Sequence, residues 1–239
     1  MARTGKEHEA SDGQALTLLA QNNRAWDALY GATEAYVWGN EPPPFLAHHL
    51  ETLRPMLGPN DCVLDIAAGE GRSGDLLLET GATVIACDAS LNGLKKFPRR
   101  LRGKIDRVRC DITSLPLATG TVTAALLIDV IETMPTAAAA LREIYRILAP
   151  DGRLLCNIPG PDDSVASNAM HPLEEGGYLY GARYYYRFYT EAEAAGLIDE
   201  SGFSIESEER CSWWERAHPM FRSQNHLHIS RVFLLKKGE

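Results

Sequence analysis

Short apolar runs and helical patterns alternate along the chain from residue 62 onward. The apolar runs predict strands at 62–66, 83–87, 106–110, 124–128 and 153–158. Between them, apolar residues at helical spacing predict helices at about 72–80, 91–97 and 136–148, with a short turn after 130. This alternation indicates βαβ units and therefore a parallel sheet with right-handed crossovers.

The segments on either side of this core have different patterns. Before it, a helix is predicted over 16–30, an extended crossing through three consecutive prolines at 42–44, and a second helix over 45–56. After it, residues 159–190 break the rhythm with loop residues and a dense group of tyrosines. A helix at 190–200 and strands at 203–209 and 226–235 follow. The polar residues 1–15 predict a mobile tail, and 16–239 a single domain.

Composition narrows the classes of partner. The chain of 239 residues carries a net charge of −8, which disfavours binding to a nucleic-acid backbone. No apolar run is long enough for a bilayer, and the polar start lacks a signal-peptide core. Five cysteines fall singly, which predicts a reduced, cytoplasmic protein. No zinc-ligand spacing is present, so no metal is predicted.

A glycine turn follows the first core strand. Residues 69–74 formally match the dinucleotide pattern G-x-G-x-x-G, which alone is weak evidence. However, Asp65 stands four residues before the first glycine, at a position that is usually apolar in nicotinamide-binding proteins. Asp65 and Glu70 would also repel a pyrophosphate, whereas a cationic sulfonium cofactor is favoured by nearby carboxylates.

Acidic residues also end the next two strands. Asp88 is placed to accept hydrogen bonds from ribose hydroxyls, and Asp111 from an exocyclic adenine amine, while Ile112 packs on the ring. The alternative is that each carboxylate caps the helix or turn that follows it. Asp129 ends the fourth strand at the same rim and is expected to contact the cofactor or the acceptor.

Residues 62–158 resemble the core of class I S-adenosylmethionine-dependent methyltransferases. The resemblance rests on the glycine turn, on residues 88–90 and 111–117, and above all on residues 141–155, which join a helix to the fifth strand. It implies a Rossmann-like α/β fold, with a seven-stranded, mostly parallel sheet, the last strand antiparallel, and helices on both faces. It further implies that 61–158 is the cofactor-binding core and 159–190 a substrate-covering insertion.

The resemblance also implies roles for individual residues. Asp65, Gly69 and Gly71 would hold the methionine part of the cofactor, Asp88 and Ala89 the ribose, and Asp111 and Ile112 the adenine. Two positions depart from the family pattern: Ala67 replaces a glycine, and Thr133 stands where relatives often have histidine. We predict that Ala67 has a negative φ with its backbone near the methionine tail, and that Ala67→Leu abolishes cofactor binding while leaving the fold intact.

The N-terminal segment carries a second, shorter resemblance. Residues 26–30 and 38–42 resemble the entry segment of small-molecule methyltransferases, including the tellurite-resistance and thiol methyltransferases. This implies that residues 16–60 form a helical lid, with Trp38 on the cofactor and Tyr30 on the acceptor.

Candidates for acceptor binding and catalysis come from the aromatic and histidine-bearing segments. The predicted acceptor contacts are Tyr30, Tyr180, Tyr184, Trp213 and Trp214. The catalytic candidates are His171, Tyr178 and His218, with His226 and His228 as further possible bases. Most such aromatic residues pack in the core, and most single histidines are structural or lie at the surface.

The sequence thus predicts methyl transfer from S-adenosylmethionine to O, N, S or C of a small metabolite in an enclosed pocket. Three alternatives stay open. These are a tRNA-modifying methyltransferase, a catalytically silent cofactor-binding partner protein, and a nicotinamide-dependent oxidoreductase. The pattern does not predict an oligomeric state.

Overall fold

A seven-stranded sheet forms the centre of the protein. The computed structural model describes residues 5–165, 170–173, 176–218 and 220–238. The strands of this sheet are β1 (Cys62–Ile66), β2 (Thr83–Asp88), β3 (Asp106–Arg109), β4 (Val122–Leu127), β5 (Leu148–Pro159), β9 (Phe203–Glu215) and β10 (His226–Lys237). Their order across the sheet is β3-β2-β1-β4-β5-β10-β9. A separate sheet in the insertion contains β6 (Met170–Pro172), β7 (Tyr178–Tyr180) and β8 (Tyr184–Tyr186).

Helices cover both faces of the large sheet. They are α1 (Gly5–Gly31), α2 (Leu46–Leu50), α3 (Gly74–Leu78), α4 (Leu91–Lys95), α5 (Ala137–Ile147) and α6 (Glu191–Glu200). Leu141 and Ile144 of α5 are fully buried on one face with Leu64 and Leu154 of the sheet. On the other face, the buried apolar residues of α2, α3 and α4 pack against alternate positions of the same strands.

The predicted fold class is confirmed. Strands β1 to β5 pair in parallel, and β10 runs antiparallel to both of its neighbours, β5 and β9. Because β10 runs in reverse, its first residues lie at the carboxyl end of β5, where Ser230 pairs with Pro159. The start of β10 therefore reaches the same rim of the sheet as the ends of the parallel strands.

Several boundaries differ from the prediction, among them those of β5, which begins at Leu148 rather than 153, and of α1, α2 and β9. Helix α1 begins at Gly5, and residues 6–10 include Lys, Glu and Ala, which favour helix. The expected tail is thus helical from residue 5, residues 1–4 lie outside the described part, and the mobility of the segment stays a prediction. Helix α2 ends at Leu50, before a separate 3₁₀ turn at Arg54–Met56. Strand β9 continues to Glu215 rather than 209, because its pairing with β10 extends to His226.

The insertion also differs from the loop that its sequence suggests. Its three short strands pair antiparallel, with Tyr180 opposite both Met170 and Tyr184. Residues 166–169 and 174–175 of this predicted substrate-covering segment lie outside the described residues.

Within the described residues, none of the helices combines the length and the apolar character needed to cross a bilayer.

Candidate active site

A cavity lies where the strand order reverses between β1 and β4. Such a switch point, at the carboxyl ends of parallel strands, is where open α/β sheets bind ligands. The cavity has a volume of about 210 Å³ and is lined by the ends of β1, β2, β4 and β5, by α1 and the extended segment after it, and by the start of β10. Seven acidic residues line it, against two arginines and no lysine. This excess of carboxyl groups fits a cationic ligand.

The glycine turn after β1 brings the backbone against Asp88. The Gly69 N–H donates to Asp88 Oδ2 at 2.8 Å, and the Ser90 N–H donates to Oδ1 at 2.6 Å. Gly69 has φ of +52°, and a Cβ there would lie 2.6 Å from Tyr30 Oη. Glycine is therefore required at this position both for its conformation and for the close approach of the lid.

Ala67 does not have the predicted negative φ. Its φ is +54°, so the prediction is wrong. The turn has to bring the Ala68 N–H to the Cys87 carbonyl at 3.0 Å and the Gly69 N–H to Asp88, and the chain does so through a left-handed residue. A glycine at this position would adopt that conformation without strain, whereas alanine holds it at a cost of about 1–2 kcal/mol.

Two carboxyl groups at the strand ends have raised pKa values. Burial raises the pKa of Asp65 to about 7, and the negative charge of Asp88 adds to the effect. Burial likewise raises the pKa of Asp88 to about 6, although its two backbone hydrogen bonds act in the opposite direction. Both groups line the cavity, so a bound cation there would favour their ionised forms.

Glu70 ties the extended segment after α1 to the glycine turn. Its buried carboxylate accepts from the Val37 N–H at 2.9 Å, the Trp38 N–H at 3.1 Å and Lys96 Nζ at 3.2 Å. The indole N–H of Trp38 donates to Tyr30 Oη at 3.0 Å. These bonds place Tyr30 and Trp38 over the turn, where both line the cavity.

Helix α1 is fixed over the cavity by two polar side chains. Asp27 accepts from Ser90 Oγ at 2.7 Å and from the Asn92 N–H at 3.0 Å, just after β2. Asn22 donates to the Thr133 carbonyl at 2.8 Å and accepts from the Tyr185 N–H at 3.0 Å. The lid thus bonds directly to the core on one side and to the insertion on the other.

The opposite wall contains a cluster of charged groups centred on Glu215. Its Oε1 lies 3.0 Å from Arg72 Nη2 and 3.2 Å from His218 Nε2, and its Oε2 lies 2.9 Å from His228 Nε2. Burial acts to raise the pKa of Glu215, but the contacts with His218, His228 and Arg72 hold it well below its usual range.

His228 is held between two carboxylates. Its Nδ1 lies 3.2 Å from Asp163 Oδ2, on the side opposite Glu215. Burial acts to lower its pKa, but the hydrogen bonds to Asp163 and Glu215 raise it to about 10. The imidazole is therefore a cation at neutral pH and not a free base.

Asp129 and Glu132 line the cavity between these two walls. Asp129 has φ of +56°; its N–H donates to Asn157 Oδ1 at 2.7 Å, and its Oδ1 accepts from Asn157 Nδ2 at 2.8 Å. Burial raises the pKa of Glu132 to about 8, and Asp129 adds to the shift. Glu132 Oε2 is buried and has no hydrogen-bond partner within the part of the chain that the structure describes.

Most of the residues predicted for the site meet at this cavity. Those that line it are Tyr30, Trp38, Asp65, Ala67, Gly69, Asp88, Ala89, Ile112, Asp129, Trp213 and His218. Those that the structure places outside its lining are Gly71, Asp111, His171, Tyr178, Tyr180, Tyr184 and Trp214.

The residues outside the lining have identifiable environments. Asp111 lies between two lining residues, Cys110 and Ile112, and its Oδ1 accepts from the N–H and hydroxyl of Thr113. Trp214 is 71% exposed, because it points away from the side of β9 that carries Trp213. His171 and Tyr178 are also exposed.

Tyr180 and Tyr184 pack around Phe221 instead, with ring centroids 5.1 and 5.0 Å away. Gly71 has φ of +84° and lies close to the Phe97 ring, so it shapes the turn rather than the cavity wall. Of the three first catalytic candidates, only His218 lies at the cavity. The roles of all these residues stay predictions.

Several lining residues were not identified from the sequence. Asp163 and Glu215 each make contacts that organise the site, yet each looks like a surface or loop residue in the linear pattern. One signal was available, namely His226 and His228 at alternate positions of a strand, which places both on the same side.

Comparisons with known proteins agree with this geometry. The methyltransferase domain family matches residues 64–156. The chain is 30% identical over 177 residues to a ubiquinone/menaquinone biosynthesis C-methyltransferase of Methylobacterium nodulans, covering 65% of this chain and 70% of the relative. It is also 38% identical over 93 residues to a demethylmenaquinone methyltransferase of Paenarthrobacter aurescens, covering 39% of this chain but only 36% of the relative.

A solved structure shows the same fold over the full chain. It is a Burkholderia thailandensis 1,6-didemethyltoxoflavin-N1-methyltransferase with bound 1,6-didemethyltoxoflavin and S-adenosylhomocysteine. Its TM-score is 0.59 at 19% identity, with 100% of this chain and 93% of that chain covered. The resemblance of the N-terminal segment to tellurite-resistance and thiol methyltransferases is not shown by these comparisons and stays a prediction. The protein belongs to the class I S-adenosylmethionine-dependent methyltransferase family.

Proposed function

We propose that the protein transfers a methyl group from S-adenosylmethionine to a small molecule held beneath the lid. The observation that carries this proposal is one cavity with two unlike walls. One wall carries Asp65, the glycine turn and Asp88, and the other carries Glu215, His218 and His228. A cationic cofactor suits the first wall, and a polar acceptor suits the second.

The residues contribute mainly by binding and orientation. The sulfonium of the cofactor supplies a methyl group: the S–C bond breaks with its electron pair left on sulfur, a lone pair of the acceptor forms the new bond, and an X–H acceptor also loses its proton. Holding nucleophile and methyl carbon in line is the largest contribution that a protein makes to such a displacement. The lid bonds of Glu70 and Asn22 support that role by fixing α1 and Trp38 over the cavity.

The surroundings favour a partly aromatic, compact acceptor. Trp26, Tyr186, Phe188 and Phe221 line the cavity together with the polar cluster. The volume of about 210 Å³ is also shared between cofactor and acceptor. The net charge of −8 and the acidic cavity count against tRNA as acceptor. A cytoplasmic location is part of the same proposal, since all five cysteines are free.

The first test is calorimetric titration with S-adenosylhomocysteine. We expect micromolar binding, and its absence at millimolar concentration would overturn the proposal.

The second test offers labelled S-adenosylmethionine with fractionated small metabolites, a reduced naphthoquinone and bulk tRNA. The naphthoquinol is included because relatives carry demethylmenaquinone in their names. Label in a small-molecule fraction supports the proposal, and label only in tRNA contradicts it. Cofactor binding without any transfer would point to the silent binding module.

A further inference from the structure

The cluster around Glu215 holds more than a set of ion pairs. One donor atom each from Glu215, His218 and His226 lies within 4.8 Å of the other two, and all three side chains line the cavity. Glu215 and His226 are register partners of β9 and β10, and His218 follows in the turn between these strands. The cluster therefore lies at the end of the hairpin formed by β9 and β10.

Each of the two histidines has its Nδ1 next to a backbone carbonyl. His218 Nδ1 lies 3.1 Å from the Val37 carbonyl, and His226 Nδ1 lies 3.2 Å from the Gln224 carbonyl. Because a carbonyl can only accept, each Nδ1 is the donor, and in the neutral ring Nε2 then carries a lone pair. A backbone carbonyl on the second ring nitrogen is the usual arrangement of a metal-binding histidine.

His218 provides an independent sign that a partner is missing. Its side chain is 92% buried, and its Nε2 has no hydrogen-bond partner among the described residues, although Glu215 Oε1 is 3.2 Å away. With Nδ1 as the donor of the neutral ring, Nε2 and Glu215 Oε1 are two lone-pair atoms 3.2 Å apart. This spacing matches two ligands of one cation, since metal–ligand distances near 2.1 Å in a tetrahedral site place neighbouring ligands about 3.4 Å apart.

The groups around these three residues suit a cation. Arg72 and His228 donate to the Glu215 carboxylate, which retains lone pairs, and they hold it in place as outer partners do in metal sites. Asp129, Glu132 and Asp163 line the same cavity and place further carboxyl groups near these ligands.

We propose that Glu215, His218 and His226 bind one divalent transition-metal ion of the zinc type at the acceptor end of the cavity. Three protein ligands leave a coordination position open, as in catalytic zinc sites. Resting on the proposed function, we assign that position to a hydroxyl or thiol of the acceptor. On binding there, the X–H group releases its proton to solvent, and the resulting oxyanion or thiolate is the nucleophile.

The test begins with metal binding alone. The full chain, stripped with a chelator, is titrated with Zn²⁺ by calorimetry and with Co²⁺ by visible absorption. We expect one cavity site with micromolar or tighter affinity, weakened at least about tenfold by His226→Gln and by His218→Gln. His48→Gln, at an exposed position on α2, is the matched control and is expected to bind as the unaltered chain does.

A second group of potential metal ligands has to be distinguished from this one in the experiment. His49, Glu209 and Cys211 also place donor atoms within 4.8 Å of one another, on β9 and the neighbouring helix. Loss of binding in His49→Gln but not in His226→Gln would overturn the cavity site, and so would the absence of any binding. S-adenosylhomocysteine affinity, measured on each variant, shows whether the cofactor half is still folded.

The role of the metal ion in methyl transfer is measured in a separate experiment. If methyl transfer to a hydroxyl or thiol acceptor is lost after chelation and returns with Zn²⁺, the assignment of the open position is supported. If transfer continues unchanged in the chelated protein, that assignment is wrong even where the metal binds. Failure of the proposed function is recognised separately, because S-adenosylhomocysteine binding and transfer would then be absent with and without metal.

Discussion

The two walls of the cavity are built in different ways. The wall proposed to hold the cofactor, called the cofactor wall, consists of residues that end successive parallel strands or begin the turn after them, such as Asp65, Gly69 and Asp88. The wall proposed to hold the acceptor, called the acceptor wall, contains Asp163, Glu215, His218 and His228 from the insertion and the final hairpin. The first wall is local in sequence and bonds largely to backbone N–H groups, whereas the second consists of side chains that neutralise one another. The cofactor wall therefore follows from the way parallel strands end, whereas the acceptor wall depends on contacts between distant segments of the chain.

The largest expected effect comes from the acceptor wall. His228→Gln removes a buried cation from between Asp163 and Glu215 and leaves two carboxylates facing each other. We expect the free energy of unfolding in urea to fall by about 3–5 kcal/mol, because one partner of a buried ion pair is lost. His48→Gln, exposed on α2, should change it by less than about 0.5 kcal/mol. A loss below about 1 kcal/mol would show that the cluster is well solvated, contrary to the structure.

On the cofactor wall, Asp88→Ala should act on binding. The change removes an acceptor placed for two ribose hydroxyls, so S-adenosylhomocysteine affinity should fall about a hundredfold or more by calorimetry. Asp106→Ala, exposed at the start of β3, should leave the affinity unchanged. Asp111→Ala should cost about tenfold if its free oxygen contacts the adenine. Equal affinity in all three variants would contradict the placement of the cofactor.

The pH dependence of binding tests Asp65. Because its pKa is raised to about 7, the carboxyl is largely protonated at pH 6 and cannot attract the cofactor's ammonium group. S-adenosylhomocysteine affinity should therefore rise about tenfold from pH 6 to a plateau near pH 8. Asp65→Asn should bind weakly and lose this dependence. The stability of the ligand-free protein depends on pH in the opposite direction. Because the pKa of Asp65 is raised in the folded state, the free energy of unfolding falls as the pH rises from the usual carboxyl range toward 7.

The smallest effect concerns the strained turn. Ala67→Gly relieves a φ of +54° and should raise the free energy of unfolding by about 1 kcal/mol, seen as a rise of a few degrees in Tm. Ala182→Gly, at φ of +57° on the exposed insertion, should give a similar gain. Neither change should weaken S-adenosylhomocysteine binding. Ala67→Leu keeps the backbone strain that alanine already bears and adds bulk at the cavity, so loss of cofactor binding with an intact fold stays the prediction.

Tests on both walls together ask whether they act independently. His228→Gln should leave S-adenosylhomocysteine affinity within about threefold in the protein that remains folded, since it touches neither Asp65 nor Asp88. A large loss of cofactor affinity in that variant would show that the walls are coupled through Arg72, which lies next to the glycine turn and contacts Glu215.

The cofactor wall could be predicted from sequence because of how parallel sheets are built. Strands that alternate with helices all end at one rim, so an acidic residue at the end of each strand must meet the others there. Asp65, Asp88 and Asp129 follow from that rule, and so does the parallel pairing of the core strands. The sign of φ at Ala67 did not follow, because it depends on which backbone groups the turn has to bring together.

The acceptor wall was decided by the tertiary structure alone. His226 meets Glu215 through the register of an antiparallel hairpin, Asp163 reaches His228 from another part of the chain, and the Val37 carbonyl orients His218 from the lid. No local sequence periodicity predicts these side-chain contacts, since they depend on long-range pairing and on the path of two loops. The sequence by itself therefore determined the fold, the family and the cofactor end of the cavity, whereas only the packed structure determined what faces the acceptor.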